Sequence, residues 1–328
     1  MAKKKYKNSE EYWRDREEEQ RRKNITDEKE YSKEIKRIYQ EMMDGIQKEI
    51  ESFYAKYASK EGITLAEAKK RVKQVDIRAY ERKAKRYVEA ASRDRKRYGK
   101  TNKKASYFSE QANEEMRLYN LTMKINRLEM LKASIGLELV NGFDELQQFF
   151  DEKLTDRTLA EFERQAGILG GSAKFYNAEL AHSIVNASFH NATFSDRIWQ
   201  YQDRLKVEIE RQLTLGLIQG KSHVVLARNI RKVFGVSVRD SERLMQTELC
   251  RVRTEAARQS YERNGTEEYE FLALGKNPCP ICQDIDGEVY KVKDMMPGTN
   301  APPMHPRCEC STTPHVDREA FNKWLDSL

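Results

Sequence analysis

The chain has 328 residues, a mean hydropathy of −0.87 and a formal net charge of +7, with 34% charged and 38% hydrophobic residues. That apolar share lies below the roughly 45–50% of an average globular chain, which excludes one large core and predicts extended helical structure with much solvated surface. No run approaches the ~18 apolar residues of a membrane span. The opening MAKKKYKNSEEYW lacks the apolar segment of a secretory signal, so a cytoplasmic product with reduced thiols and no membrane partner is expected.

All seven prolines fall between Pro278 and Pro314, and residues 1–277 contain none. Interior proline disrupts a helix by roughly 3 kcal/mol or more, so this long stretch is permissive for helix throughout. Three regions follow. Residues 1–104 are charge-dense, with Tyr12, Trp13, Tyr39, Phe53 and Tyr57 as sparse helical anchors. Their first thirty residues read as a solvated helix or as an arm that orders on a partner.

The end of that region, residues 81–104, carries a basic segment. Its eleven cations are Arg82, Lys83, Lys85, Arg86, Arg93, Arg95, Lys96, Arg97, Lys100, Lys103 and Lys104, against Glu81, Glu89 and Asp94. Tyr87 and Tyr98 interleave with them. A phosphate backbone is the natural counterpart, and such contacts are salt-sensitive and blind to base sequence. Double-stranded DNA is therefore the partner predicted here. A solvated helix face, or a patch docking an acidic protein, is the plainer reading.

Residues 105–265 form a helical body. Leu118, Leu121, Ile125, Leu128, Ile135 and Leu139 recur in steps of three, four or seven, which predicts an amphipathic helix over 105–140 about 50 Å long. GILGGSAK (167–174) and GLIQGKS (216–222) punctuate the body. Gly220 suits the residue just past a helix end, with Ser222 capping the next helix. That helix is expected to stop at Gly235, and Ser237 or Asp240 to open a third that ends at Asn264-Gly265. The three would pack as a small bundle. Glu248 and Arg251, three apart on one predicted helix, could pair with each other or reach the C-terminal module; a surface ion pair of little energetic weight is the plainer account.

Residues 266–328 hold four of the five cysteines. Cys279 and Cys282 form a C-x₂-C knuckle, and His305, Cys308 and Cys310 follow as H-x₂-C-x-C. Zn²⁺ takes four thiolate or imidazole ligands in a tetrahedron, so five candidates stand for four places. The spacing leaves open whether Cys308 pairs with Cys310 or with His305. Asp286-Gly287 is a hairpin signal within this tail. With few large apolar residues, the tail needs an ion in place of a core. Disulfide pairing is the rival account, and Cys250 stands apart. An enzyme reading casts Asp284, Asp286, His305 and His315 as a nuclease centre beside a structural zinc, although aspartates on a turn are ordinarily turn formers.

FSDRIW (194–199), GLIQGKS, ARNIRKVFGVS (227–237) and ERLMQTELCRVRTEAARQSYERNG (242–265) occur in order, followed by YEFLAL, CPIC, DGEVY and PPMHPRCEC. Together, from about residue 160 to 315, they resemble the minor head protein, or head morphogenesis, family of tailed double-stranded DNA phages, the group similar to the F protein of phage Mu. This chain departs from the family's habit at Gln246, where Arg often stands, and in reading CEC rather than CRC. The resemblance implies a non-enzymatic virion component present in few copies. Its partners would be the portal protein, capsid or scaffold protein, and DNA. It would lie inside the head near the portal, after assembly in the host cytoplasm. The expected fold is mainly α, with long helices, a helical bundle and a small zinc-stabilised α+β module at the C-terminus.

Overall fold

The computed structural model describes residues 6, 8–57, 64, 70, 74–97, 112, 127–170 and 177–315. The long helices are α1 (Ser9–Tyr57), α2 (Gln74–Arg97), α3 (Arg127–Leu169), α5 (Phe194–Ile218) and α6 (His223–Arg263), with a short α4 (Ala178–Val185) before α5. β1 (Glu268–Leu272), the single turn α7 (Pro280–Gln283), β2 (Val289–Lys291) and β3 (Ser311–Pro314) complete the described chain. The fold is mainly helical with a small sheet near the C-terminus, as expected.

Two compact units divide the chain. Unit 1 comprises Met1–Lys33, Phe150–Phe194 and Ser241–Leu328, and unit 2 comprises Glu34–Phe149 and Ser195–Asp240. In unit 2 the apolar stripe of α1 (Ile35, Ile38, Tyr39, Met42, Ile46, Ile50, Phe53) is buried, as are Leu137, Leu139, Val140 and Phe143 of α3. A methyl group on Gly142 would collide with the Met42 side chain, so close helix approach there depends on glycine.

Of the helix predicted over 105–140, Ala112 and the stretch from Arg127 onward are described, and both are helical. Leu128, Ile135 and Leu139 are buried on α3, which runs on to Leu169; Leu118, Leu121 and Ile125 lie outside the described residues. The stops at GILGGSAK and GLIQGKS are where they were read. At the second, Lys221 N–H bonds Gly216 O at 2.8 Å and Gly220 N–H bonds Leu217 O at 3.3 Å, with Gly220 at φ +64. This is the paired closure that a left-handed residue past the helix end provides.

The expected break at Gly235 is absent, because α6 is one 41-residue helix. Leu226, Ile230, Phe234, Ser237, Ser241, Leu244 and Glu248 are all buried at steps of three or four, so the inward stripe passes through the glycine without a phase change. One glycine costs a helix only about 1 kcal/mol, which that continuous burial outweighs.

The opening of α1 is likewise not a solvated arm. Asn8 Oδ1 accepts the Glu11 N–H at 2.9 Å and starts the helix. Within unit 1, Trp13 then packs on Leu272 and Leu274, while Glu17 and Asn24 are buried. Its inward face is polar, which is why apolar periodicity did not reveal it.

β1 is the central strand, antiparallel to β2 on one side and β3 on the other. Tyr269, Phe271 and Leu272 of β1 are buried, as is all of β3. Ala257 and Tyr261 of α6 pack with Tyr269, Val292, Met295 and Ala301, and Tyr261 Oη donates to Thr312 O at 3.1 Å. The sheet is thus seated on the last turns of α6.

Candidate metal centre

Cys279 sits just before the single turn of α7, with Pro280 as its first residue. The Cys282 N–H bonds Cys279 O at 3.0 Å, closing the C-x₂-C knuckle so that both sulfurs face one way. In the loop before β3 the Cys308 N–H bonds His305 O at 3.1 Å. This tight turn passes through Arg307 at φ +62, an uncommon backbone state for a side chain of this size. The chain then extends through Cys310 into β3.

The ligand atoms of Cys279, Cys282 and His305 lie within 4.8 Å of one another, and so do those of Cys282, Cys308 and Cys310. Cys282 is common to both sets. Its sulfur is 3.9 Å from that of Cys308, close to the ~3.8 Å edge of a tetrahedron with Zn–S bonds near 2.3 Å. No cysteine is in a disulfide. Cys282, Cys308 and Cys310 are buried, whereas Cys279 and His305 are half-buried at the rim. His305 Nδ1 lies 2.9 Å from Pro306 O. A proton shared there leaves Nε2 with its lone pair, the state a metal requires. All five residues read from the sequence therefore fall in two triads that share Cys282, and the arrangement could hold a metal ion.

Cys250 does not stand apart. From α6 it joins Cys282, Cys308 and Cys310 in a buried cluster with Phe271 and Ala273. Hydrogen bonds from the Cys250 and Cys310 thiols push the Cys308 sulfhydryl below its ordinary pKa. Cys310 and Cys250 are pushed up by serving as its donors, and Cys282 by burial. Crowded thiols without a cation oppose one another's ionisation. A divalent ion would let the other ligands ionise. No local spacing marks Cys250 as a member of the cluster, since its cysteine partners lie thirty to sixty residues away.

Behind the cluster, the Glu248–Arg251 pair is not at the surface. Both side chains are buried, with Arg251 Nε 2.6 Å from a Glu248 carboxylate oxygen. The guanidinium also donates to Ile184 O and Val185 O at 2.9 Å each, capping the last carbonyls of α4. Burial turns a pair of small expected weight into one whose loss would strand a charge.

The residues of the enzyme reading are differently engaged. Asp286 accepts from the Ala273 N–H at 2.8 Å and from Arg14 at 3.1 Å through both oxygens, fixing the turn at Gly287. His315 Nδ1 lies 3.8 Å from Glu270. Among the described residues, Asp284, Asp286 and His315 join no metal-holding group.

In the basic segment, Arg82, Lys85 and Arg86 are exposed on α2. Lys83 is turned inward, 2.5 Å from both Glu49 and Glu138, which removes it from the cations presented outward. Arg93, Arg95, Lys96 and Arg97 lie on the same helix, and Lys100, Lys103 and Lys104 fall outside the described residues. Among the described residues no helix is long and apolar enough to cross a membrane.

Residues 207–313 match the family described as Phage Mu protein F like protein. The resemblance seen in the helical segments and in CPIC with PPMHPRCEC is thereby shown, and it is to a phage head morphogenesis and minor head protein family. The matched span holds Cys250, the Glu248–Arg251 pair, β1, β2, β3 up to Thr313 and all five metal-candidate residues. The chain is also similar to the NAD(+)–arginine ADP-ribosyltransferase EFV of Enterococcus faecalis, at 23% identity over 161 residues. That alignment takes in 44% of this chain and 33% of the relative, so the chain spans about a third of that protein's length. No solved structure matches.

Proposed function

We propose that this chain is a minor head protein of a tailed double-stranded DNA phage, a non-enzymatic virion component at the portal and inner capsid whose C-terminal module is tied by one structural Zn²⁺. The observation that carries the reading is the convergence of Cys279, Cys282, His305, Cys308 and Cys310 inside the segment that matches the phage Mu F-like family. A largely buried, cysteine-rich site with its imidazole already hydrogen-bonded suits a closed structural ion rather than an open catalytic one. The charged region 1–104 would meet packaged or ejected DNA, the body 105–265 would supply reach, and the module from 266 would dock on portal, capsid or scaffold. The transferase activity in the relative's name is not carried over, because about two thirds of that protein lie outside the match.

Protein purified under reducing conditions should contain about one zinc per chain, and Cys279→Ser should lose it; unchanged zinc content would defeat the assignment. Mass spectrometry of purified virions should find the protein at low copy, and its absence from particles would overturn the head role. Supercoiled plasmid incubated overnight with Mg²⁺ should survive, since cleavage would favour the nuclease reading.

DNA contact has its own test. Arg82, Lys85 and Arg86 supply exposed positive charge on α2, with more cations following along the chain. Duplex affinity should fall by orders of magnitude between about 50 and 200 mM salt if six or more phosphates are contacted. Neutralising the basic positions from Arg82 to Lys104 should abolish binding; salt-independent binding would remove this segment from the DNA role.

A further inference from the structure

Cys310, the last of the metal candidates, is gripped from two helices of unit 1. Arg253 of α6 donates from Nη2 to the Cys310 carbonyl oxygen at 2.8 Å, and the same nitrogen stands 4.0 Å from Cys250 Sγ. One residue further on, the Ser311 hydroxyl donates to Glu17 of α1 at 2.7 Å. Arg253, Cys310, Ser311 and Glu17 are all buried, so bulk water does not compete for these bonds.

Arg253 is the unusual member. It is 8% exposed, yet among the described residues its hydrogen bonds run to a carbonyl and a sulfur, and no carboxylate stands at ion-pair distance. A guanidinium keeps its proton, and a buried charge that meets only neutral acceptors is costly. Glu17 and Glu161 act on it through space, but both are held by Arg164, at 2.6 and 2.7 Å. Their surplus negative charge offsets part of the cost without aiming the guanidinium. What it is aimed at is the cysteine cluster.

Both its bond and its charge bear on a metal there. Cys308 and Cys310 are alternate residues, and an extended chain turns such a pair to one side. Holding the Cys310 carbonyl keeps the chain extended as it enters β3, with the Cys282, Cys308 and Cys310 sulfurs within 4.8 Å of one another. A divalent ion with three or four thiolates carries a net negative charge, so a fixed cation beside it is favourable.

We propose that Arg253 is a positioning residue of the metal centre, which makes Cys310 one of the four ligands by fixing its carbonyl and placing a positive charge beside the thiolates. The inference rests on the zinc reading above and goes past it, because five candidates stood for four places and Arg253 had no part.

Full-length protein, kept reduced, should be titrated with zinc against a chromophoric chelator, and its cobalt-substituted form followed by absorption. Arg253→Gln keeps a donor but no charge, and should weaken zinc about 10–100-fold, the scale of an outer-shell partner. Arg253→Lys restores charge and a single donor, and should recover most of that loss. Cys310→Ser should weaken zinc further and shift the thiolate-to-cobalt absorption. Adding Arg253→Gln to Cys310→Ser should then cost little more, because the arginine acts through that cysteine. An arginine that only stabilises the fold would lower the thermal midpoint and leave zinc affinity and the cobalt spectrum unchanged. Should Arg253→Gln not fold, Arg253→Met, which removes the buried charge with similar bulk, takes its place. Undiminished zinc affinity in the uncharged variant, a lysine variant no tighter than it, or full affinity in Cys310→Ser would each overturn the inference. Wild-type protein that binds no zinc would instead sink the metal reading beneath it, a result told apart by stoichiometry.

Discussion

In unit 2, α1 presents Tyr39 to Phe143 and Phe234, whose rings meet it edge to face at 5.6 and 6.1 Å. About four to six turns earlier the same helix, now in unit 1, presents Asn24 and Glu17. Glu17 accepts from Arg164 at 2.6 Å and from the Ser311 hydroxyl at 2.7 Å, while Arg164 also holds Glu161 at 2.7 Å. One helix therefore serves a hydrocarbon core along one part and a polar, sulfur-bearing core along the other. The two cores respond to different insults. Packing tolerates changes of solvent charge but not of volume, whereas a buried ionic network tolerates neither an unpaired member nor the loss of an ion that organises it.

Metal removal should separate the two cores most strongly. Structural zinc contributes on the order of 10 kcal/mol in isolated finger peptides. Chelation, or Cys282→Ser, should thus strip amide protection from β1, β3 and the Cys308–Cys310 run in hydrogen exchange. The amides of Ile35–Phe53 in unit 2 should stay protected. Uniform loss of protection across both units would erase the contrast.

A smaller effect sharpens it. Arg251→Ala leaves Glu248 buried without its partner and uncaps the α4 carbonyls, so roughly 3–5 kcal/mol of destabilisation is expected in denaturant unfolding. Phe143→Ala in unit 2 should cost a similar roughly 3–5 kcal/mol, through the cavity it leaves. Only the first should be largely rescued by a second change: Glu248→Leu with Arg251→Met replaces the pair by apolar side chains of comparable size. If the double variant is no better than Arg251→Ala, the carbonyl bonds to Ile184 and Val185 matter more than the stranded carboxylate.

What could be read in the sequence follows the same division. Hydrocarbon stripes announce themselves by period, and Leu128, Ile135 and Leu139 were found that way. The C-x₂-C and H-x₂-C-x-C spacings announce a group that could hold a metal, because ligands near in sequence are near in space. Polar burial leaves no such mark. Glu17 and Asn24 look like a solvated face, and Glu248 with Arg251 like an ordinary surface pair, because their partners Arg164, Arg157 and the α4 carbonyls are many residues distant. Cys250 escaped for that reason too: its neighbours Cys308 and Cys310 arrive only once the sheet has folded back on α6. Arg253 had no local signature either, since the Cys310 carbonyl that it holds lies 57 residues further on.

The smallest effect tests the one place where local chemistry misled. Gly235 was expected to end a helix, and it lies inside α6, where a methyl group would meet nothing nearer than an Arg239 guanidinium nitrogen at 4.0 Å. Gly235→Ala should therefore stabilise the protein by about 0.5–1 kcal/mol, through reduced freedom of the unfolded chain and better helix propensity. A chain break there would reverse the sign, since alanine in a left-handed turn is strained. Gly220, at φ +64 with the paired closure of α5 around it, is the matched control: Gly220→Ala should cost about 1 kcal/mol. Opposite signs at two glycines fifteen residues apart would show that the buried stripe through Phe234, Ser237 and Ser241, rather than the glycine itself, decides where a helix in this chain continues.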